Sequence, residues 1–280
     1  MTITTHPTAS ASVAQASRVI QRSRRDDIAS IPIALRSEWI KVSSLRSNVT
    51  ILALTPVIGV ALSWIMATFV KIDPDTDIPL TVCVTFIFST WLTTVLAAIM
   101  GTLMFTSEAQ HGTIAAAVAA QPARWVIVAS KTTVAASFGL AMGVLGMVGG
   151  LSGSLLGGLP KGDTSAMAST ALWGLLLTTF APVLGLGVGM ILRHSAAAVS
   201  ILLVWPFVLE NIARALIPVS TARYLPFSAA NNMLGIASAT DTPESLAAAL
   251  TTFQNAVLFG GYAFALLAIG ATFFSRRDTD

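Results

Sequence analysis

Glu108 and His111 stand three residues apart, a spacing that places a carboxylate and an imidazole on one face of a helix, where a metal site or an acid–base pair can be built. The set stops at two. A hydrolytic metal centre needs at least a third ligand, and the other histidines are His6 near the start of the chain and His194 far beyond. Cys83 is the single cysteine, so neither an intrachain disulfide nor zinc-type spacing is available. No catalytic residue, metal or cofactor of the chain's own is expected.

A second acid carries a different message. Glu210 precedes Arg214 by four residues, the order and spacing that favour an ion pair along a helix. A helix starting near Ser195 rises about 1.5 Å per residue, which carries Glu210 roughly 20 Å along its axis. If that helix crosses a membrane, Glu210 either forms a structural pair with Arg214 closing the outer end or lines a water-filled path. Trp205 and Phe207, on either side of Pro206, complete this candidate pathway or outer-gate set.

The elements that must hold these residues follow from composition. Of 280 residues, 54% are hydrophobic and only 10% are charged, too few polar side chains to cover a water-exposed globule. The mean hydropathy of +0.77 agrees, and lipid is expected to cover most of the chain. A helical span needs about 20 apolar residues. Uncharged windows run from Ser47 to Val70, Ile78 to Ser107, Thr132 to Pro160, Thr164 to Leu192 and Ser245 to Ser275. A sixth, from His194 to Leu209, reaches that length only if its helix continues through Glu210 and Arg214 to Ile217.

The spacing therefore predicts an all-α membrane protein with six spans, at 49–70, 80–105, 132–159, 168–192, 196–217 and 246–274. Both termini then lie on one side of the membrane. Their flanks and the loops after spans two and four hold 12 Lys and Arg residues against 4 in the opposite loops, which places both ends in the cytoplasm. Net charge +3 does not indicate nucleic acid, because the basic residues adjoin the spans.

Residues 1–30, rich in Ser, Thr and Ala, are expected to be a disordered cytoplasmic tail. Arg24-Arg25 precedes Asp26-Asp27 and no apolar run, so a cleaved signal is not expected. Residues 31–47 alternate apolar Ile33, Leu35, Trp39, Ile40, Val42 and Leu45 with Arg36, Glu38, Lys41 and Arg46. This suits an interfacial amphipathic helix whose basic residues meet lipid phosphates while Trp39 lies at headgroup depth. Residues 276–280 close the chain on the same side.

Span three carries Gly139/Gly143 and Gly149/Gly153/Gly157, and span four carries Gly185/Gly189, small residues at the spacing that lets helices pack closely. Pro56, Pro182 and Pro206 are candidate kinks. Leu151-Ser152-Gly153-Ser154 matches an ATPase signature sequence only superficially, since it lies within a span. The chain has no Gly-Lys dipeptide, so the phosphate-cradling loop G-x-x-x-x-G-K-[ST] cannot be written. Past Pro218, a segment too polar to span is expected to form short helices dipping into the outer leaflet, and Thr242-Pro243-Glu244 reads as the start of the last long helix.

Between spans two and three lies Phe105 to Ile114, followed by an alanine-rich run to Gln121-Pro122, which predicts a short helix across the cytoplasmic mouth. Leu35-Arg36-Ser37-Glu38-Trp39-Ile40-Lys41 with Leu45-Arg46-Ser47, and Glu108-x-x-His111-Gly112-Thr113, resemble type-2 permease subunits of ATP-binding-cassette transporters, over about residues 33–275. The resemblance implies that the loop after span two and the N-terminal helix contact an ATPase, assigning ATPase coupling to Glu108, His111, Gly112 and Thr113 with Arg36, Glu38 and Lys41. It implies re-entrant helices between spans five and six.

It also implies two separate ATPase subunits that hold ATP and Mg, and a second permease chain, the same or different, completing the path. The resemblance implies an exporter in the cell membrane of a bacterium, and the few fixed charges within the spans favour an amphipathic or hydrophobic cargo such as a drug, lipid or peptide antibiotic. An ion- or proton-coupled transporter and a non-transporting scaffold or immunity protein are the alternatives. The former needs ionisable groups at midspan, for which Glu210 is the candidate.

Overall fold

The computed structural model describes residues 24–44, 46–69, 87–158, 164–234 and 249–276. All regular structure among them is helical, as a chain in lipid requires if every backbone N–H and C=O is to find a partner within its own segment. The helices are α1 (Arg24–Ser44), α2 (Arg46–Phe69), α3 (Phe88–Gln110), α4 (Thr113–Ala120), α5 (Arg124–Leu156), α6 (Thr164–Leu192), α7 (Ser195–Val204), α8 (Glu210–Leu216), α9 (Val219–Ala222), α10 (Pro226–Met233) and α11 (Thr252–Arg276). Among the described residues six stretches are long and apolar enough to cross a membrane: 48–69, 88–110, 124–156, 167–192, 195–216 and 252–276. The chain has the architecture of a multi-pass membrane protein.

α3, α5 and α6 form the centre, where 61%, 56% and 67% of the most apolar window is buried, against 17% for α2 and 22% for the fifth stretch. Met100, Phe138, Met142, Leu177 and Ala181 are almost wholly buried in the main core. A second cluster of Phe105, Ile127, Leu186, Met190 and Phe274 gathers at one end and takes in Ile114, the buried residue of α4. That contact seats the short helix on the bundle.

Glycines let the central helices approach backbone to backbone, so dispersion contacts replace the hydrophobic drive that lipid does not supply. α5 uses two glycine sets for two neighbours. A Cβ on Gly139 would meet the Pro182 ring of α6 at 2.7 Å, whereas one on Gly149 would lie 2.9 Å from Pro56 Cα of α2. From the other side, a Cβ on Gly59 would stand 2.8 Å from the Gly146 carbonyl oxygen. Thr102 Oγ1 donates to the Gly185 carbonyl at 2.9 Å, joining α3 to α6.

Several boundaries differ from the sequence expectation. α1 begins at Arg24, inside the segment read as tail, and α3 continues through Glu108 to Gln110. α5 starts at Arg124, eight residues before residue 132, and so takes in Lys131. The last helix begins at Thr252, where Thr251 and Gln254 form a reciprocal cap: Gln254 N donates to Thr251 Oγ1 at 3.2 Å and Thr251 N to Gln254 Oε1 at 2.9 Å. Thr242-Pro243-Glu244 and Cys83 lie outside the described residues.

Pro56 and Pro182 sit inside continuous helices. Pro206 instead opens a wide π turn, Trp205–Leu209, between α7 and α8. Asn211 Nδ2 donates to the Phe207 carbonyl at 2.8 Å within it.

Replacing Gly149 with Val is expected to force α2 and α5 apart and to cost about 1–3 kcal/mol, read as a lower Tm in detergent. Gly261→Ala, whose added Cβ would meet nothing within 4 Å, is the control and should leave Tm level or slightly raised.

Candidate functional site

At the end of the bundle where α4 sits, four charged side chains from three helices meet. α1 contributes Glu38 and Lys41, α3 contributes Glu108 from its last turns, and α5 contributes Lys131 from its third. Lys131 is 1% exposed, and its Nζ donates to Glu38 Oε2 at 2.7 Å and lies 2.8 Å from Glu108 Oε1. Lys41 Nζ donates to Glu38 Oε1 at 2.6 Å and to Glu108 Oε1 at 3.3 Å. Two acids and two bases balance, which is how so many charges tolerate burial.

A helix, α1, covers the segment expected to lie at the interface, but the face it turns to the bundle differs from the sequence reading. Ile33, Trp39 and Ile40 are exposed, while Glu38 and Val42 are buried on the side facing the bundle. Lys41 turns to the two acids, whereas Arg36 stays exposed. Trp39 reaches back to α5, its ring 5.1 Å from that of Phe138.

The acids and bases set each other's ionisation. Burial by itself would raise the Glu38 carboxyl, but the ammonium groups of Lys131 and Lys41 outweigh it and hold Glu38 below its ordinary 4.5. Burial would likewise lower Lys41, yet Glu38 and then Glu108 hold it above 10.5. Glu38 is thereby held as a carboxylate and Lys41 as an ammonium.

The loop residues arrange themselves around this quartet. Gly112 adopts a φ of 68°, the left-handed conformation that suits glycine, and so lets the chain leave α3 and start α4 within two residues. His111 and Thr113 are exposed on that turn; the His111 Nδ1 lies 2.7 Å from the Ser107 carbonyl and Thr113 Oγ1 donates to the Glu108 carbonyl at 3.4 Å. No group of three or more potential metal ligands occurs among the described residues. Beyond α4, Gln121 Nε2 donates to Ser30 Oγ at 2.8 Å, tying the loop to α1 a second time.

Lys131 lies one residue before the uncharged window that starts at Thr132, so span composition alone leaves it outside the helix. The signal was present: Ile127, Val134 and Ala135, one turn away on either side, are all buried, so Lys131 lies on an apolar stripe. Arg124, at the start of α5, donates to the Phe274 carbonyl at 2.6 Å and to the Ser275 carbonyl at 3.3 Å, partly covering the negative end of α11.

The second candidate set is rearranged. Glu210 is 1% exposed, and its carboxylate accepts from the backbone N–H of Phe227 at 3.1 Å and from that of Ser228, capping α10 from another helix. The expected Glu210–Arg214 pair is therefore replaced, and Arg214 donates to Asn211 Oδ1 at 3.3 Å. Two well-placed N–H donors satisfy a buried carboxylate without the entropy cost of fixing an Arg side chain. Trp205 and Phe207 are partly exposed, and Phe207 packs edge-on against Trp91, whose Nε1 donates to Asn231 of α10 at 3.1 Å.

No protein-family model and no curated protein matches the chain. The site must be interpreted from its own geometry.

Lys131→Met leaves two neighbouring acids to one lysine and is expected to cost about 3–5 kcal/mol, seen as a marked fall in Tm. The double change Glu38→Gln with Lys131→Met keeps the Glu108–Lys41 pair balanced and should unfold at a higher temperature than Lys131→Met alone. Glu38 is stabilising above pH 4.5, and its contribution is lost as pH falls through its lowered value; that of Lys41 is full below pH 10.5 and lost as pH rises through its raised value. Tm against pH should therefore show a plateau between these limits, with the acid limb weakened in Glu38→Gln. Glu210→Ala, which strips two N–H donors of their acceptor, should cost about 1–3 kcal/mol, whereas Arg214→Ala should change Tm little.

Proposed function

We propose that the chain is the permease subunit of an ATP-driven exporter, with α4 as the element that receives force from a separate ATPase. The observation that carries this reading is the quartet. It locks α1, α3 and α5 together beside a short, rigid, exposed helix, so a push on α4 is transmitted to three long helices and not absorbed by a loose loop. The outward residues of α4 are Thr113, Ala115, Ala116, Ala119 and Ala120, a small-residue surface that a groove on a soluble partner can approach closely.

In this reading both termini and α4 face the cytoplasm, α1 lies along the membrane interface, and α9 and α10 dip into the outer leaflet. Two ATPase subunits bind ATP and Mg, and nucleotide favours the outward-open arrangement by binding it more tightly. A second permease chain covers the faces of α2 and α7–α8, where Trp64, Phe69, Trp205 and Val208 stand exposed, and an amphipathic or apolar cargo passes between the chains. Glu210, spent on capping α10, is a positioning group at the outer end. That use also argues against a proton-coupled transporter, which needs a midspan acid free to exchange protons.

The test is reconstitution with a cognate ATP-binding-cassette ATPase. ATP-dependent cargo movement is expected, and Glu108→Arg should lower ATPase stimulation at least tenfold by placing a third cation against Lys41 and Lys131. A cysteine at Ala116 should crosslink to the ATPase. Cargo movement by the chain alone under a proton gradient would overturn the proposal.

A further inference from the structure

On the flank of the bundle away from the quartet, the first turns of α5 and the last turns of α11 border an open groove of about 550 Å³. Ala129 and Ala271 line it from the two helices, with Val128 and Leu267 beside them. Three threonines also face it, but their hydroxyls are spent within their own helices: Thr132 donates to the Val128 carbonyl at 2.8 Å, Thr133 to that of Ala129 at 2.9 Å, and Thr272 to that of Ile269 at 2.7 Å. The groove is left apolar.

Its mouth has a different chemistry. Trp125 and Arg276, both exposed, stand at the ends of α5 and α11. Two of the carbonyls that would repel an anion there are covered, because Arg124 donates to those of Phe274 and Ser275 while its guanidinium lies over the Phe274 ring. Among the described residues no acid or carbonyl engages Arg276, which leaves its guanidinium to an anion. From Trp125 to Thr133 the groove runs roughly 12 Å along α5, close to the depth of one hydrocarbon leaflet. An apolar channel of that depth, ending at an indole and a guanidinium on membrane-crossing helices, is complementary to an acyl chain joined to a phosphate.

We propose that this groove binds one anionic glycerophospholipid of the leaflet on the Arg276 side, with an acyl chain along Ala129 and Ala271 and the phosphate at Arg276. The proposal rests on the membrane-crossing helices and not on the coupling role of α4, so either can fail without the other. Binding here staples α5, which carries Lys131, to α11, and so links lipid composition to the helix at the centre of the quartet.

The experiment is native mass spectrometry of the full chain in mild detergent, titrated with phosphatidylglycerol or phosphatidylcholine. Wild-type chain should retain one phosphatidylglycerol with a preference of about fivefold over phosphatidylcholine. Arg276→Gln, a change on an exposed side chain, should abolish the preference while keeping retention, and Ala271→Phe or Ala129→Leu should lower retention of both lipids. Equal retention of the two lipids by the wild type, or an undiminished phosphatidylglycerol preference in Arg276→Gln, would overturn the proposal, as would retention unchanged in both groove-filling variants.

Discussion

The burial of a single ammonium group, that of Lys131, constrains this end of the molecule more than any other interaction. A lysine on the interior face of a long apolar helix is costly unless acids reach it from neighbouring elements. Here they come from two: Glu38 on the N-terminal helix and Glu108 near the end of α3. Each acid in turn needs its second cation, which Lys41 provides to both. Moving any one of the three helices therefore separates charges in a poorly hydrated place, and the arrangement behaves as a unit. α4 inherits that rigidity, because its turn starts three residues after Glu108 and Ile114 seats it in the adjoining apolar cluster.

Farther along the helices, cohesion comes from shape. The glycines of α5 let α2 and α6 approach its backbone from two sides, and the close contacts that a Cβ would make show how little room is left. The two kinds of contact divide the work along one helix. Near its start α5 is held by buried charges that pair with one another, and beyond Gly139 by close packing, where lipid surrounds the bundle and an unpaired charge would be intolerable.

At the other end of the fifth stretch, Glu210 applies the same rule with a different partner. A buried carboxylate must be satisfied, and the N–H groups at the start of α10 are fixed in place by the backbone, so they outcompete a flexible arginine one turn away. The wide turn at Trp205–Leu209 lies directly before Glu210, and the Trp91–Asn231 bond adds a second tie to α10. The segment after α8 is thus attached to the long helices by polar contacts at named points. It does not rely on burial alone.

Sequence alone determined that the chain is helical and membrane-crossing, because runs of some twenty uncharged residues leave the backbone no other way to satisfy its hydrogen bonds in lipid. It also singled out Glu38, Lys41, Glu108 and Gly112, through the resemblance carried by the two short segments that hold them. Tertiary structure decided which of them meet. Lys131 lies 93 residues from Glu38 in the chain, and no local pattern specifies that pairing. The Glu210 partner was misread for the converse reason: spacing along one helix proposes i,i+4 neighbours, whereas the competing donors came from a helix whose position only the packed bundle defines.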